Sequence, residues 1–354
     1  MDKKTTIRDV AQRAGVSPST VSRVLNPHAA VHMRPATRER VLEAIRELRY
    51  TPTKSAQRMR RQRGDIIGVL LPDISNPYFS LLARGAESIA FEEGYSTLIC
   101  DSNHSVERES RYLDLLMAEQ VDGIVFVPVG TPDWQKIQRL KDQGVRIVAA
   151  DRCQDQLLGV EADNWHGSHC LTQHLLSLGY RQIAYIAGPL EVRTTQERLR
   201  GFQDAMRNAG LDPIVIRHGA YTFDSGYQLA SEVLAGHSVD ALMGGDDLVA
   251  LGAMRAAESL GIDVPGQLGI TGFDSVPLLS LIHPALTSVR IPVYEIGRES
   301  MTLLVRHIGT TDSPGDPTVL PVELVPGSSC RQCKEPSPRL DSSLTSSPHD
   351  RGGD

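Results

Sequence analysis

The sequence predicts a small all-α helix-turn-helix head joined to an α/β body of two doubly wound lobes. Three observations carry that expectation: charge is split along the chain, two short helical segments flank a glycine near its start, and from residue 65 short apolar runs alternate with helical segments.

The charge split comes first because the overall balance hides it. The 354 residues carry a formal net charge of −6. Residues 1–63 hold 15 Lys and Arg against 5 Asp and Glu, a net of +10, whereas the rest holds 22 against 38, a net of −16. A basic head points to a polyanion partner, and an acidic body is repelled by the same polyanion.

In "TTIRDVAQRAGVSPSTVSRVLN", Ile7, Val10, Ala11 and Ala14 keep helical spacing until Gly15 breaks it. Ser17 and Pro18 then supply an N-cap and a first-turn proline for a second helix with Val21, Val24 and Leu25 inward. Small Ala11 permits a close crossing, Gly15 suits the tight turn and Val21 plugs the angle between the helices. These positions on a basic surface favour a DNA reader over a plain αα-hairpin. A third helix comes next, with Val41, Leu42, Ile45 and Leu48 as its apolar stripe, and it ends before Thr51-Pro52. The head therefore spans residues 1–52, and residues 53–64 form a hinge helix or linker.

The body begins with eight apolar runs, at residues 66–72, 96–100, 122–128, 145–151, 182–188, 213–217, 239–245 and 267–274. Continuous apolar strands separated by helices make parallel sheets covered on both faces. Eight strands suit two lobes better than one sheet, with a TIM barrel as the other arrangement of eight. The body is expected over residues 65–330 and a Ser- and Pro-rich disordered tail over 331–354.

The start lacks a signal-peptide run, no stretch approaches about 20 apolar residues, and five scattered cysteines form no framework, so a cytoplasmic protein with no membrane partner is expected. Cys330 and Cys333 have metal or redox spacing without a second pair, and His166 and His169 sit three apart without a third ligand. Neither is read as a site, and no metal or cofactor is expected.

The runs "TTIRDVAQRAGVSPSTVSRVLN", "TRERVLEAIRELRYTP", "IIGVLLPDISNPYFS", "GYRQIAYIAGP", "RLRGFQDAM" and "VPGQLGITGFDSVPLLSLIHPALTSVR" together resemble the lactose-repressor/galactose-repressor (LacI/GalR) family of bacterial transcription regulators. The resemblance covers residues 5 to about 328. It implies a body like the periplasmic sugar-binding proteins, with a ligand between two lobes and three hinge crossovers. Lobe one would comprise about 65–162 and 291–330, and lobe two about 163–290. It also implies a homodimer on a near-palindromic double-stranded operator. A dimer is preferred to a tetramer because the tail lacks an apolar heptad.

The first turn of a recognition helix enters the major groove, which puts Pro18, Ser19 and Arg23 nearest base edges. Arg23 can fork onto guanine O6 and N7, while Thr6, Ser17, Thr20 and Ser22 offer hydroxyls to phosphates. In the resembling family the hinge segment inserts an apolar side chain into the minor groove. Alignment places Met59 there, with Lys54 and Arg58 beside phosphates.

In parallel sheets ligands sit outside the carboxyl ends of strands. Asp73, Ser75, Asn76, Tyr78 and Phe79 follow the first run, Asp151 and Arg152 the fourth, and Asp274 the last. The resemblance matches Asn76, Tyr78, Phe79, Asp151, Arg152, Arg198 and Asp274 to ribose-type binding positions. Asp246 stands where Asn is usual and Arg290 where Gln is common. If the two face each other they would pair and leave a neutral ligand; otherwise Arg290 or Arg193 could hold a carboxylate or phosphate. A neutral monosaccharide is favoured over a sugar acid, sugar phosphate or purine.

An enzyme would need a catalytic constellation, and the sequence has no GxSxG elbow, GxxxxGK[ST] loop or HExxH helix. A regulator of carbohydrate-use genes is therefore expected ahead of a sugar-binding protein without DNA function or a sugar-processing enzyme. Met59→Ala is expected to weaken operator binding in a gel shift while leaving the body's sugar affinity unchanged; equal DNA affinity would remove Met59 from the interface.

Overall fold

The computed structural model describes residues 5–25, 34–48, 50, 65–310 and 315–331. The expected hinge segment with Lys54, Arg58 and Met59, the tail beyond residue 331 and Cys333 lie outside the described residues. Two units are distinct, one ending at Asp65 and one beginning at Ile66.

In the head, helix α1 (Ile7–Ala14) starts with a capping box: Thr6 accepts from the Asp9 amide, and the Asp9 carboxylate accepts from the Thr6 amide at 2.7 Å. It ends at Gly15, whose φ of 64° is the left-handed conformation a C-cap glycine adopts without strain. Helix α2 (Pro18–Val24) is capped by Ser17, which accepts from the Thr20 amide, and begins with proline. Helix α3 (Pro35–Glu47) closes the unit. Val10, Val21 and Val41 contribute one fully buried side chain from each helix. On α3 the innermost positions are Val41 and Ala44, with Leu42, Ile45 and Leu48 only partly buried, because the small alanine is the one that fits between the crossing helices.

In the body, a six-stranded parallel sheet contains β1 (Ile66–Leu71), β2 (Ser96–Asp101), β3 (Gly123–Phe126), β4 (Arg146–Ala150), β5 (Leu158–Ala162) and β11 (Thr318–Leu320), in the order β11-β5-β4-β3-β1-β2. A four-stranded parallel sheet holds β6 (Ile183–Ala187), β7 (Val215–His218), β8 (Ala241–Gly244) and β9 (Gly269–Thr271), in the order β7-β6-β8-β9. All eight apolar runs contain strands, and they divide between two open sheets, which excludes a closed barrel. Strand β5, "LGVEA", was not anticipated, because its glycine and glutamate break the apolar run.

The helices of lobe one are α4 (Pro77–Glu92), α5 (Val106–Ala118), α6 (Trp134–Asp142) and, after the second crossing, α11 (Val293–His307). Those of lobe two are α7 (Asn164–Ser177), α8 (Arg193–Asn208), α9 (Phe223–Gly236) and α10 (Asp247–Ser259). The chain crosses between lobes after β5, after β10 (Ser288–Arg290), and before β12 (Glu323–Val325), which pairs antiparallel with β10. The expected assignment of 291–330 to lobe one needs correction at its end. The Ile270 amide donates to Ser329, the Ser329 amide donates to Ala285, and the Arg331 amide donates to the Tyr180 hydroxyl, so the described residues up to 331 pack on lobe two.

Helices α4 and α11 approach backbone to backbone. A Cβ on Gly85 would lie 2.0 Å from the Tyr294 carbonyl oxygen, and one on Gly297 would lie 2.1 Å from that of Leu82. Neither helix can yield without shifting its own sheet contacts. Gly85→Ala is expected to destabilise the protein by roughly 1–3 kcal/mol in urea denaturation.

Candidate functional site

The carboxyl ends of both sheets contribute side chains to one narrow cavity of about 20 Å³, room for about one water with the lobes as they stand. On the lobe-one side, Asn76 caps α4, its Oδ1 accepting from the Tyr78 amide at 2.9 Å. The cap aims Tyr78 across the lobe, where its hydroxyl donates to the Asp151 carboxylate. The Phe79 ring lies edge-on to Tyr78 and under the Arg152 guanidinium, 5.4 Å from its centre. Arg152 also donates to the Pro128 carbonyl at 3.0 Å, while its Nε makes no hydrogen bond.

On the lobe-two side Arg198 is the organising group. Its Nε donates to Asn164 Oδ1 at 2.8 Å, Nη1 donates to the Gly245 carbonyl at 2.7 Å, and Nη2 lies 3.0 Å from Asp274 Oδ1. The guanidinium covers the Phe273 ring at 4.0 Å. Asp246 caps α10 by accepting from the Val249 amide at 2.8 Å. Asp151 and Asp274 hold φ values of 64° and 102°, a left-handed backbone that costs about 1–3 kcal/mol at a non-glycine residue. That cost falls on two carboxylates at the ends of strands, where it turns them into the cavity.

Burial governs the titration of these acids. It raises Asp246 to about 6, against the opposing Val249 amide and Arg198. Burial likewise raises Asp247, just behind, to about 8, although it accepts from Ser288 and the Val276 amide. Asp274 is also pushed up by burial, with Arg198 acting against the shift.

Eight of the anticipated residues meet in this cavity: Asn76, Tyr78, Phe79, Asp151, Arg152, Arg198, Asp246 and Asp274. Four do not line it. Asp73 turns back to accept from the amide and hydroxyl of Ser75, at 2.8 and 2.6 Å, and faces His104 at 3.6 Å. Arg193 lies against Asp155, Glu161 and Glu197. Arg290 sits more than half exposed on β10 and donates to Glu323 on β12 at 2.8 Å, so of the two arrangements the one in which it faces Asp246 does not occur. In a strand, side-chain direction follows the pairing register, and opposite Glu323 that register carries Arg290 away from the cavity.

Thr194, in the first turn of α8, and Tyr221, just past the carboxyl end of β7, also line the cavity and were missed. The strand-end rule already applied to Asp151 and Asp274 would have found Tyr221. Asn164, which orients Arg198, was missed as well; next to it Asp163 caps α7, accepting from the His166 amide at 2.9 Å. His169 stacks on Trp165 at 5.0 Å, and among the described residues no group of three His, Cys, Asp or Glu could hold a metal.

On the head, Pro18, Ser19 and Arg23 are exposed along α2. The Thr6 and Ser17 hydroxyls are engaged in caps, and Ser17 also lies 2.7 Å from Ser19 and 2.9 Å from Thr20. These caps fix the two helix N-termini whose free amides suit phosphates. Ser22, half-buried, also lies on α2.

A helix-turn-helix head and a two-lobed body with a polar, charge-lined cleft at its strand ends define a class: DNA-binding proteins with a built-in small-molecule site. Residues 6–53 match the profile of bacterial regulatory proteins, lacI family, and residues 172–330 that of a periplasmic binding protein-like domain. The chain is 36% identical to the ribose operon repressor of Halalkalibacterium halodurans, over 86% of this chain and 90% of that protein. It also resembles the lac repressor dimer bound to operator and an anti-inducer (29% identity, 92% and 99% coverage, TM-score 0.80). A transcriptional regulator CelR–cellobiose complex is similar at 31% identity, 92% and 99% coverage and TM-score 0.70. The chain belongs to the LacI family of bacterial regulatory proteins.

Because burial raises Asp246 from 3.8 to about 6, its contribution to stability is full below about pH 4 and is lost as the pH rises through about 6. Asp246→Asn is expected to flatten that part of the stability curve, read from urea denaturation between pH 4 and 7; an unchanged slope would mean Asp246 ionises freely.

Proposed function

We propose that the chain is a repressor of carbohydrate-use genes that acts as a homodimer on a near-palindromic double-stranded operator, its affinity set by a neutral monosaccharide in the cleft. The observation that carries the sugar reading is the charge state of the cavity. Arg198 is already engaged by Asp274, Asn164 and Gly245, and Arg152 by Pro128 with Asp151 at 3.8 Å. Each guanidinium has a carboxylate of its own lobe beside it and Asp246 adds a third acid, so neither cation is left without a counter-charge for a sugar acid or phosphate to supply. Carboxylates accept pairwise from vicinal hydroxyls, and Phe79 and Tyr221 offer apolar faces to a ring.

Family membership and the exposed Arg23 support the DNA reading. The relatives are regulators, and we read this chain as one rather than as an enzyme. We place it in the cytoplasm, on the nucleoid when DNA-bound; among the described residues no helix is long and apolar enough to cross a membrane. The three crossings make a hinge, so a ligand that prefers one lobe geometry shifts its population, and with it operator affinity.

Calorimetric titration with pentoses, hexoses, sugar acids, sugar phosphates and purines tests the cleft; tight binding of only the anions would overturn the neutral-sugar reading. In gel shifts, Arg23→Ala is expected to lose about 1–3 kcal/mol and to relax preference at one base pair per half-site. A uniform loss across all operator variants would reassign Arg23 to a phosphate.

A further inference from the structure

We infer that Arg193 is a positioning residue: it latches lobe two onto lobe one, and so sets how readily the cleft closes without itself lining the ligand cavity. It is the first residue of α8, on lobe two. Its Nε donates to Glu197 on the same helix at 3.0 Å. The other arm of the guanidinium leaves the lobe. Nη1 donates to Asp155 Oδ1 at 3.2 Å and to the Cys153 carbonyl at 3.4 Å, and Nη2 lies 3.7 Å from Glu161 Oε1.

Asp155, Cys153 and Glu161 all belong to lobe one, Glu161 within β5 two residues before the first crossing. By contrast, the ion pairs of the cavity stay within one lobe: Arg152 with Asp151, and Arg198 with Asp274. Opening the cleft separates Arg193 from its lobe-one partners but leaves the cavity pairs intact. Charge fixes the direction of the effect, since one cation faces the carboxylates Asp155, Glu161 and Glu197. Opening leaves Glu161, 8% exposed, without its cross-lobe counter-charge. The latch lies at a second, polar cavity of about 350 Å³ that both lobes line, Thr131 and Gln154 from one and Glu191 and Gln196 from the other.

The consequence for the effector rests on the sugar reading of the cleft; the latch itself does not. Weakening it lowers the fraction of closed body, and apparent affinity falls by that fraction. A partly exposed ion pair of this kind changes such a population by about two- to fivefold.

Gly130 and Glu191 face each other across the lobes, with a Cβ on Gly130 lying 3.8 Å from Glu191 Cγ. In the full chain carrying Gly130→Cys and Glu191→Cys, the rate of disulfide closure in a glutathione buffer reports the closed fraction with no effector present. Adding Arg193→Gln or Asp155→Asn is expected to slow closure about two- to fivefold. Glu197→Gln, which removes only the same-helix partner, should leave the rate unchanged, and Arg193→Lys, which keeps the charge, should retain most of it. Equal rates in parent and Arg193→Gln, or equal slowing by Glu197→Gln, would overturn the latch. Failure of every sugar to bind would overturn the reading of the cleft instead.

Discussion

Arg198 is the group on which the body's architecture turns. It is buried in lobe two, yet its guanidinium reaches three separate chain segments: Asn164 after the first crossing, Gly245 at the end of β8, and Asp274 after β9. Asp274 in turn is fixed by backbone bonds on both sides, donating to Val289 and accepting from Ile291, the residues that flank the second crossing. One cation therefore ties the cavity to the helix that follows the first crossing and to the hinge strand β10. A buried charge stripped of its partners costs about 3–5 kcal/mol, so this arrangement is held as a unit rather than contact by contact.

The same constraint explains why the cavity is built from charges at all. Hydroxyl groups are poor partners for apolar walls, and a site that pairs every hydroxyl discriminates far better than one that merely encloses a ring. Carboxylates fixed at strand ends by caps and by left-handed backbone are pre-oriented acceptors. Burial opposes their ionisation, as Asp246 and Asp247 show, and the two arginines offset part of that cost.

Charge separation along the chain serves a different end. A head of net +10 approaches phosphates, while a body of net −16 is repelled by them, so the ligand-binding part does not compete for DNA on its own account.

The sequence by itself determined the head, the alternation of strands and helices, and most of the cavity, because these rest on local rules. Gly15 needs a left-handed turn, Ser17 caps the second helix, apolar runs bury on both faces, and residues after strand ends gather where the sheets point. Only the tertiary structure decided the rest. Strand β5 is recognisable by its neighbours rather than by its composition, and residues 323–331 join lobe two through pairing with β10 and Ile270. Arg193 is next in sequence to the cavity residue Thr194 and Arg290 bridges the backbone of Asp274, but both turn outward to Asp155 and Glu323. Side-chain direction at a lobe boundary is set by register and by which opposite charge lies across the gap, and both come from distant parts of the chain.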